Sequence, residues 1–567
     1  MLDVRTFEQG RVIPLTYRRM AQSAASALGI LSLVALGAGP VSAQQSKIPY
    51  GGTVYAQAAS TGFGTRDFNP FSTTAETGAI GIVYEPLLMY NLQGSPTIRP
   101  WLASSYAWSN HNLTLTMHLR QGVEWQNGTP FTAKDVVFTF DLLKRYPPID
   151  TNALWTTLSG VKAEGPSTVV FTFKHPAVPL LYYIGSQVIV PESIWAHENP
   201  VTWLDPNPVG TGPFKLESFS PQEYTFVRNP HYWQKGRPYI SKVVYETATS
   251  ASLLLELRRG TMTWAEGYIP DVQKSYVAAD PKYNHYWWGP GNIVALFPND
   301  ATPPFNNPNV RIALAYALPY AAIIRDAANP ALRAADAEGL TLPAQKPWLD
   351  AALAKTYHYR QDPALALKYL AKAGYHRNAA GKLVNAKGQA LSFTIESPAS
   401  YTNWITAETS MAAALNALGM NVTLGTQSSS TYFADLATGH FQLDLNWMGF
   451  GPSPYFSYDS ALNDVYTAPI GKSATGDVER WRSPETQRLL NTFVSTSSPA
   501  KEKAAINGLE TIMVKYMPVI PVFYAMFWDE FVTRQIVGWP YAKDPYADGG
   551  SIGEFNEPAL LQIHLRN

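Results

Sequence analysis

The sequence predicts an α/β protein of two or three domains, and three observations lead to that prediction. The chain has 567 residues, which is too long for one ordinary hydrophobic core. Residues 113–119 alternate apolar and polar side chains, which is the period of a half-buried strand. Farther along, the helical stretch 411–418, Gly419 and the strand-like run 421–424 give the alternation typical of a parallel sheet.

The composition points to recognition by aromatic rings. Charged residues make up 15% of the chain, below the roughly 25% usual in soluble domains, whereas aromatic residues make up 13% and include 16 Trp and 32 Tyr. These rings could simply fill a large core. We expect instead that part of them line a cleft, because Trp and Tyr often form recognition surfaces.

Charge and cysteine content exclude several classes of function. The 43 basic and 43 acidic residues cancel and form no basic patch, which argues against nucleic acid as a partner. The chain has no cysteine, so disulfides, thiol catalysis and thiolate metal sites are excluded. The lipid-modified cysteine of a bacterial lipoprotein is excluded for the same reason.

The N-terminal segment is typical of an export signal. Arg18 and Arg19 precede an uncharged run over residues 20–46, with a small-x-small cleavage motif inside it. We therefore predict a signal peptide at 1–43 and a mature chain that begins at Gln44 outside the cytoplasm, in the periplasm. A retained membrane anchor is the alternative, since the run is long enough to span a bilayer.

The first part of the chain predicts short strands and one early helix. Residues 52–56 are a plausible first strand. We expect a helix that extends to about Tyr84, because Pro86 disfavours helix at the residue before it.

The clearest local pattern follows the alternating strand. Thr132 and Asp135 form a capping-box variant that begins a helix. Val136, Phe140 and Leu143 fall at i, i+4 and i+7, so they predict its buried stripe.

Residues 207–214 combine two prolines and two glycines around one threonine. Proline restricts φ and glycine permits positive φ, so the pattern predicts a sharp turn into a strand over 214–219.

The last third of the chain opens with a further helix signal. Pro308 suits a helix entrance, and apolar residues from Val310 to Ala317 recur at helical spacing. The apolar runs 292–297 and 520–532 are predicted to cross between two parts of the molecule.

Several of these motifs together resemble a known family. They are the Val209–Phe214 turn with the Asn229–Trp233 run after it, the block 120–136, and the helix entrance 303–317. They are similar to motifs of the extracytoplasmic solute-binding proteins of ABC importers, the large family that takes peptides, nickel complexes and some oligosaccharides. The resemblance covers nearly all of residues 50–567. It implies a two-lobed periplasmic binding protein fold, α/β with mixed sheets flanked by helices, in three domains.

The resemblance also implies how the chain is divided. The predicted segments are domain I in three parts, an inserted domain II and a domain III that forms the second lobe: 44–85 (I), 86–208 (II), 209–292 (I), 293–525 (III) and 526–567 (I).

Recognisable catalytic patterns are absent from the sequence. It contains no Gly-x-Ser-x-Gly elbow, no His-Glu-x-x-His, no P-loop and no dinucleotide fingerprint. The 10 histidines are scattered, and His118 lies at a polar position of the alternating strand. We therefore predict no catalytic residue, no metal site and no cofactor. A glycosidase-like carboxylate pair remains an alternative, because acidic residues are plentiful.

The segment 441–459 starts as a buried strand and ends in a Gly/Pro-rich stretch full of aromatic residues. In the resembled family it faces the ligand, and peptide-binding members place an acidic residue just after the strand to pair with the ligand's ammonium. Residues 449–454 carry no carboxylate. Asp444 and Asp459 flank this stretch and could substitute if they faced inward.

Sugar-binding members of the family present Trp and Tyr instead. Rings stack on the apolar face of a pyranose, and amide or backbone groups bind its hydroxyls without any charge. The stretch 537–547 also looks like the cello-oligosaccharide-binding members. The predicted ligand-binding residues, each of which could alternatively pack in a core, are Trp447, Tyr455, Tyr458, Trp404, Trp264, Asn446 and Trp539.

The resemblance thus implies a monomeric periplasmic receptor that closes two lobes on its ligand and delivers it to an inner-membrane ABC permease. We expect an uncharged oligosaccharide of the cello-oligosaccharide or β-glucan type. An oligopeptide ligand is the main alternative. A receptor that signals to a histidine kinase and an enzyme are the others.

Overall fold

The computed structural model describes residues 48–58, 65–72, 74–93, 97–327, 333–496, 498–553 and 556–567. The predicted signal peptide, 1–43, and the predicted first mature residue, Gln44, lie outside the described residues. Within those ranges, no helix is both long enough and apolar enough to cross a membrane. Strands and helices are numbered below in chain order.

A mixed sheet of seven described strands is assembled from separated parts of the chain. In spatial order its strands are β12 (Asn284–Tyr286), β20 (Glu530–Val532), β11 (Trp264–Ala265), β1 (Thr53–Gln57), β10 (Lys242–Glu246), β9 (Glu223–Arg228) and β8 (Phe214–Phe219). Strand β1 is parallel to β10 and β11, and the other pairs are antiparallel.

The chain forms an antiparallel four-stranded sheet between β1 and β8. Its strands, in spatial order, are β4 (Ala103–Ser109), β5 (Thr114–Leu119), β7 (Thr168–Phe173) and β6 (Leu158–Ala163). Helix α1 (Ala133–Arg145) begins with the predicted capping box, in which Asp135 Oδ2 accepts from Thr132 N at 2.9 Å. Val136, Phe140 and Leu143 are buried, so the predicted stripe is confirmed. The boundaries 86–208 stay a prediction.

The turn before β8 packs backbone against backbone. Gly212 N donates to Val83 O at 2.9 Å and Phe214 N to Ile82 O at 3.4 Å. A Cβ on Gly210 would lie 1.7 Å from Val83 O. Glycine is therefore required at position 210 because the two backbone segments approach closely. It is not required for a positive φ, as the sequence suggested.

The predicted helix before Pro86 is wrong. Residues 77–84 form turns and single bridges, and Gly78 and Gly81 have φ of 91° and 86°. The carbonyls of Ile82 and Val83 bond to the turn at 212–214 instead of to later residues of a helix.

A second mixed sheet of five described strands is built mostly from the last half of the chain. In spatial order its strands are β17 (Asn421–Gln427), β16 (Ser392–Pro398), β18 (Leu443–Trp447), β13 (Gly289–Pro298) and β19 (Ile520–Phe527). Strand β16 is parallel to β17 and to β18, whereas β13 is antiparallel to both of its neighbours.

Helices cover both faces of this sheet. One core contains α7 (Pro308–Ala317), α8 (Tyr320–Ala327), α10 (Pro363–Lys372) and α11 (Thr402–Ala417). The other contains α13 (Tyr455–Leu462), α14 (Pro484–Ser495) and α15 (Pro499–Tyr516). Helix α7 begins as predicted, with Pro308 in its first turn and Asn307 as its N-cap.

The two parts of the molecule are joined where strands of one sheet lead into the other. The chain passes from β12 to β13 through Trp287 and Trp288, and from β19 to β20 through Trp528 and Asp529. We call the seven- and four-stranded sheets, which share one core, the first lobe, and the five-stranded sheet with its helices the second lobe. The predicted crossing at 520–532 is confirmed, whereas the one predicted at 292–297 is wrong, because those residues lie inside β13 of the second sheet and the chain crosses before them, at 287–288.

The remaining elements are short. The strands are β2 (Leu88–Asn91), β3 (Thr97–Pro100), β14 (His376–Arg377), β15 (Leu383–Val384), β21 (Ile536–Val537) and β22 (His564–Leu565). The helices are α2 (Leu154–Thr157), α3 (Leu181–Ser186), α4 (Glu192–Trp195), α5 (Ser250–Arg259), α6 (Val272–Ser275), α9 (Ala351–Thr356), α12 (Ser429–Thr438) and α16 (Glu557–Gln562).

Candidate ligand-binding site

Three aromatic residues meet at the carboxyl ends of β16 and β18. The rings of Trp404 and Trp447 lie 4.5 Å apart, and Tyr401 lies 5.7 Å from Trp447. Trp404 is buried, whereas Tyr401 and Trp447 are half-buried. In open α/β sheets, ligands bind outside the carboxyl ends of the strands where the strand order changes. The parallel strands lie in the order β17-β16-β18, so the strand order reverses at β16, and the carboxyl ends of β16 and β18 lie at such a position.

Asn446 adjoins this group on the same strand. It is half-buried, and its Oδ1 accepts from Trp447 N at 2.8 Å. That bond leaves the side-chain amide as a donor for another group. The structure therefore brings together three of the seven predicted site residues, Trp404, Asn446 and Trp447. Tyr401 was missing from the prediction, although its position three residues before Trp404, just after a strand, was available as a signal.

Tyr455 and Tyr458 lie on α13 rather than in a loop. Tyr455 stacks on Phe493 at 5.0 Å with the ring planes 8° apart, and its hydroxyl donates to Asp459 at 2.9 Å. Tyr458 is completely buried and donates to the Glu338 carbonyl at 2.7 Å. Both rings pack in the core of the second lobe, and neither lies against Trp447.

Trp264 and Trp539 pack against each other in the first lobe, with 5.4 Å between their rings. Both are buried. Trp264 Nε1 donates to Asp529 Oδ1 at 3.0 Å, and Trp539 Nε1 donates to the Ile536 carbonyl. In this structure their ring faces are covered by protein. Contact with ligand stays a prediction for all seven residues.

The loop after β18, residues 448–454, carries no charged side chain. Phe450 is half-buried and lies 5.8 Å from Phe527 at the crossing of the lobes. Gly449 and Gly451 bring the loop against α13, because a Cβ on either would lie 2.5 Å from Phe456 atoms. The loop therefore packs closely against α13, directly after Trp447.

The two acidic residues that flank this segment point into the second lobe. Asp444 is completely buried and accepts from the Tyr432 hydroxyl at 3.1 Å; burial raises the pKa of Asp444 well above its usual range. Asp459 is buried and accepts from Tyr455 and from Asn463. Neither carboxyl faces the aromatic group.

Other carboxyls lie where the lobes join, and the sequence reasoning missed them. Glu530 accepts from Trp288 Nε1 at 2.6 Å, and Glu266 Oε2 accepts from the backbone of Ile552 and Gly553 at 3.0 Å each. Asp529 is completely buried. Burial raises the pKa of Asp529 to about 8 and that of Glu266 to about 7. Adjacent acids at positions 529 and 530, inside an apolar crossing segment, were the available signal.

The first lobe contacts the second beside the 448–454 loop. Tyr182 and Tyr183 of α3 lie 5.0 Å and 5.5 Å from Phe456. A pocket of about 210 Å³ lies between the lobes here, lined among others by Tyr90, Tyr182 and Pro452. Within the described part of the chain, no three His, Asp or Glu residues are grouped to hold a metal ion.

The family is established by comparison with known proteins. The profile described as "Bacterial extracellular solute-binding proteins, family 5 Middle" matches residues 97–467. The chain belongs to this family, whose members are the solute-binding components of ABC importers. The resemblance that the motifs carried is thereby confirmed, and so is the α/β periplasmic binding protein fold.

The most similar solved structures include a Thermotoga maritima protein described as a periplasmic oligopeptide-binding protein of an oligopeptide ABC transporter. One crystal structure of it is 27% identical in sequence, with a TM-score of 0.85. The match covers 91% of this chain and 99% of the Thermotoga maritima chain. A second, with mannohexaose bound, is 28% identical with a TM-score of 0.80 and the same coverage.

Relatives that match in sequence are named for different ligands. The nickel-binding periplasmic protein of Escherichia coli is 28% identical over 382 residues, which are 64% of this chain and 69% of the relative. DdpA of the same organism, named a probable D,D-dipeptide-binding periplasmic protein, is 24% identical over 445 residues, 76% of this chain and 80% of the relative. The cello-oligosaccharide branch remains a prediction.

Proposed function

We propose that the protein captures an uncharged oligosaccharide outside the cytoplasm and delivers it to an inner-membrane ABC permease. In this proposal the protein is a monomer with a cleaved signal peptide. Its lobes close on the ligand, which shifts an equilibrium between open and closed forms. Cello-oligosaccharides are the class we favour.

The position of the half-buried Trp447 is the observation that carries the proposal. It lies at the carboxyl end of β18 and is braced on its other sides by Trp404 and Tyr401. A ring held in this way presents a flat apolar face that suits the C–H face of a pyranose. Asn446 beside it offers an amide donor for a hydroxyl group.

The carboxyls around the site favour a neutral ligand. An ammonium group enclosed without an ionised partner costs several kcal/mol, on the order of 3–5. Loop 448–454 offers no carboxylate, and Asp444 and Asp459 bond to groups inside the second lobe. Asp529, with a pKa of about 8, is mostly neutral at pH 7. The Thermotoga maritima protein with mannohexaose bound is 28% identical to this chain, and it shows that this fold can hold a chain of hexoses.

An oligopeptide is the second candidate. Glu266 is half-buried near the crossing, and with a pKa of about 7 it is partly ionised at neutral pH. It could therefore accept an ammonium group that approached from between the lobes. One relative, DdpA of Escherichia coli, is named for D,D-dipeptides and is 24% identical to this chain.

A ligand screen separates the two. Thermal unfolding of the purified protein is measured with cellohexaose, mannohexaose, and unprotected di- to pentapeptides. We expect a hexasaccharide to raise the melting temperature by mass action and the peptides to leave it unchanged. Stabilisation by peptides alone would overturn the sugar proposal, and hydrolysis of either class without stabilisation would favour an enzyme.

A further inference from the structure

Two aromatic side chains of the first lobe reach the core of the second lobe. Tyr182 and Tyr183 of α3 pack against the core of the first lobe and also against the second-lobe core that contains α13, α14 and α15. The ring of Phe456, on α13, lies 5.0 Å from Tyr182 and 5.5 Å from Tyr183, at interplanar angles of 69° and 80°. Such edge-to-face pairs are a favourable arrangement of aromatic rings. We call these three residues the inter-lobe contact.

The first lobe holds its side of the inter-lobe contact in place. The hydroxyl of Tyr90, on β2, donates to the Leu181 carbonyl at 2.8 Å, and its ring lies 4.8 Å from Tyr182. A Cβ atom added to Gly185 would lie 2.6 Å from the Tyr90 hydroxyl and 2.9 Å from Leu88. Helix α3 therefore packs closely on β2, through contacts that do not involve the second lobe.

The second lobe holds Phe456 equally firmly. Phe456 is 3% exposed, and a Cβ atom added to Gly451 would lie 2.5 Å from its ring. The loop 448–454, which follows Trp447 directly, therefore folds over this ring. Burial, together with the nearby carboxyl of Asp459 on α13, raises the pKa of Tyr183 above its ordinary value. The hydroxyl of Tyr183 is thus also surrounded by groups of the second lobe.

The position of the inter-lobe contact makes it sensitive to movement of the lobes. The chain crosses between the lobes at 287–288 and 528–529, and the three aromatic residues belong to neither crossing. A rotation about the crossings that opened the lobes would separate Phe456 from both tyrosines and expose apolar surface to water, which is unfavourable. The pocket of about 210 Å³ between the lobes borders Tyr182 and Phe456. The contact is therefore less completely filled than the core of a lobe.

We propose that Phe456, seated against Tyr182 and Tyr183, stabilises the closed form of the two lobes independently of any ligand. A receptor whose binding-competent form is already populated binds its ligand more tightly, because less free energy is spent on closure. The inter-lobe contact thereby sets the affinity of the receptor from outside the aromatic group at Trp447. The inference rests on the lobe closure of the proposed function, but not on the class of ligand.

The test measures the separation of the lobes in the ligand-free mature protein. Because the sequence contains no cysteine, Lys162→Cys in the first lobe and Lys501→Cys in the second, both at exposed positions, place spin labels at these two sites alone. The distance between the labels is measured by double electron–electron resonance, and the radius of gyration by small-angle X-ray scattering. In the double variant Tyr182→Ala with Tyr183→Ala, we expect the ratio of closed to open forms to fall about tenfold. Both the mean label distance and the radius of gyration should increase.

A variant on the other lobe and a matched control complete the test. Phe456→Leu keeps an apolar side chain in the second-lobe core but removes the ring, so it should shift both measurements in the same direction. It also decides the question if the double tyrosine variant does not fold. The control is Tyr55→Ala with Tyr541→Ala, which removes two tyrosines that are 39% and 48% exposed. Its label distance and radius of gyration should equal those of the natural protein.

Three results would overturn the proposal. They are an unchanged label distance in the folded double tyrosine variant, an unchanged distance in Phe456→Leu, and an equal increase in the control. The hexasaccharide that stabilises the natural protein should dissociate faster from the double tyrosine variant, since opening of the lobes releases it. The label distances need no ligand, so failure of this proposal is distinct from failure of the sugar proposal.

Discussion

Glu85 and Glu557 are both hydrogen-bonded to the hydroxyl of Tyr232, which lies 3.0 Å from Glu85 Oε1 and 2.9 Å from Glu557 Oε1. Both carboxyls are completely buried. Glu85 also accepts from the indoles of Trp101 and Trp233. A hydroxyl has one proton to donate, so the second bond requires a proton on a carboxyl. Burial, with Glu85 close by, raises the pKa of Glu557 well above its usual range.

Replacement of Glu557 with glutamine should remove a pH dependence of stability. The pKa of Glu557 in the folded protein lies above its ordinary value of 4.5. The stability that protonated Glu557 contributes is therefore fully present below about pH 4.5. It is lost as the pH rises toward the pKa of the folded state, by up to about 1.4 kcal/mol per pH unit. A glutamine amide at this position needs no such proton. Chemical denaturation between pH 5 and pH 9 should give a smaller decline for Glu557→Gln than for the natural protein.

The control for that measurement is Glu164→Gln, at an exposed carboxyl of the first lobe. It should retain the slope of the natural protein. A slope for Glu557→Gln equal to that of the control would show that Glu557 is ionised in the folded state, contrary to the prediction.

Removal of the Trp447 ring should weaken ligand binding. If the ring of Trp447 stacks on a sugar, Trp447→Ala should cost about 1 kcal/mol or more, roughly fivefold in Kd. The dissociation constant is measured by calorimetry with the hexasaccharide that stabilises the natural protein. Phe433→Ala, at a 43% exposed ring on α12 of the same lobe, is the matched control and should bind normally. Unchanged affinity in a folded Trp447→Ala protein would remove this residue from the site.

A methyl group at Gly210 should be strongly destabilising. Its Cβ would lie 1.7 Å from the Val83 carbonyl oxygen, so the 207–214 turn could not approach that backbone. We expect Gly210→Ala to lower the free energy of unfolding by about 3 kcal/mol, measured by urea denaturation. Gly553→Ala is the control, because its Cβ would have no neighbour closer than 3.9 Å. Equal stability of the two variants would contradict the packing described for this turn.

Arg311 should be required for the stability of the second lobe. It forms an ion pair with Asp300 at 3.1 Å, with both side chains almost fully buried. Its Nε also donates to the Tyr516 and Met517 carbonyls. Arg311→Met leaves a buried carboxyl without its cation, so we expect a loss of about 3–5 kcal/mol in thermal or chemical unfolding.

Two further variants test that explanation. The double variant Arg311→Met with Asp300→Asn should recover part of the loss, because it also removes the buried charge. Arg534→Met, at an exposed pair with Asp280, should change the unfolding midpoint little. No recovery in the double variant would show that the carbonyl bonds of Arg311, rather than its charge, stabilise the lobe.

Local chemistry was enough to predict part of the fold. The Thr132–Asp135 capping box, the start of α7 at Pro308 and the alternation in β5 depend on neighbours within a few residues. Such patterns are readable from the chain because the interacting groups are adjacent in it. The family motifs were readable for the same reason.

The sequence by itself therefore determined the family, several helices and strands, and the absence of a carboxylate between residues 449 and 454. Only the tertiary structure decided which rings are covered. Tyr458 is buried in the core of the second lobe, where its hydroxyl bonds to the Glu338 carbonyl 120 positions earlier, whereas Trp447 stays half-buried beside Tyr401 and Trp404. Burial depends on contacts between residues that are distant in the sequence, and a local pattern of aromatic residues does not reveal those contacts.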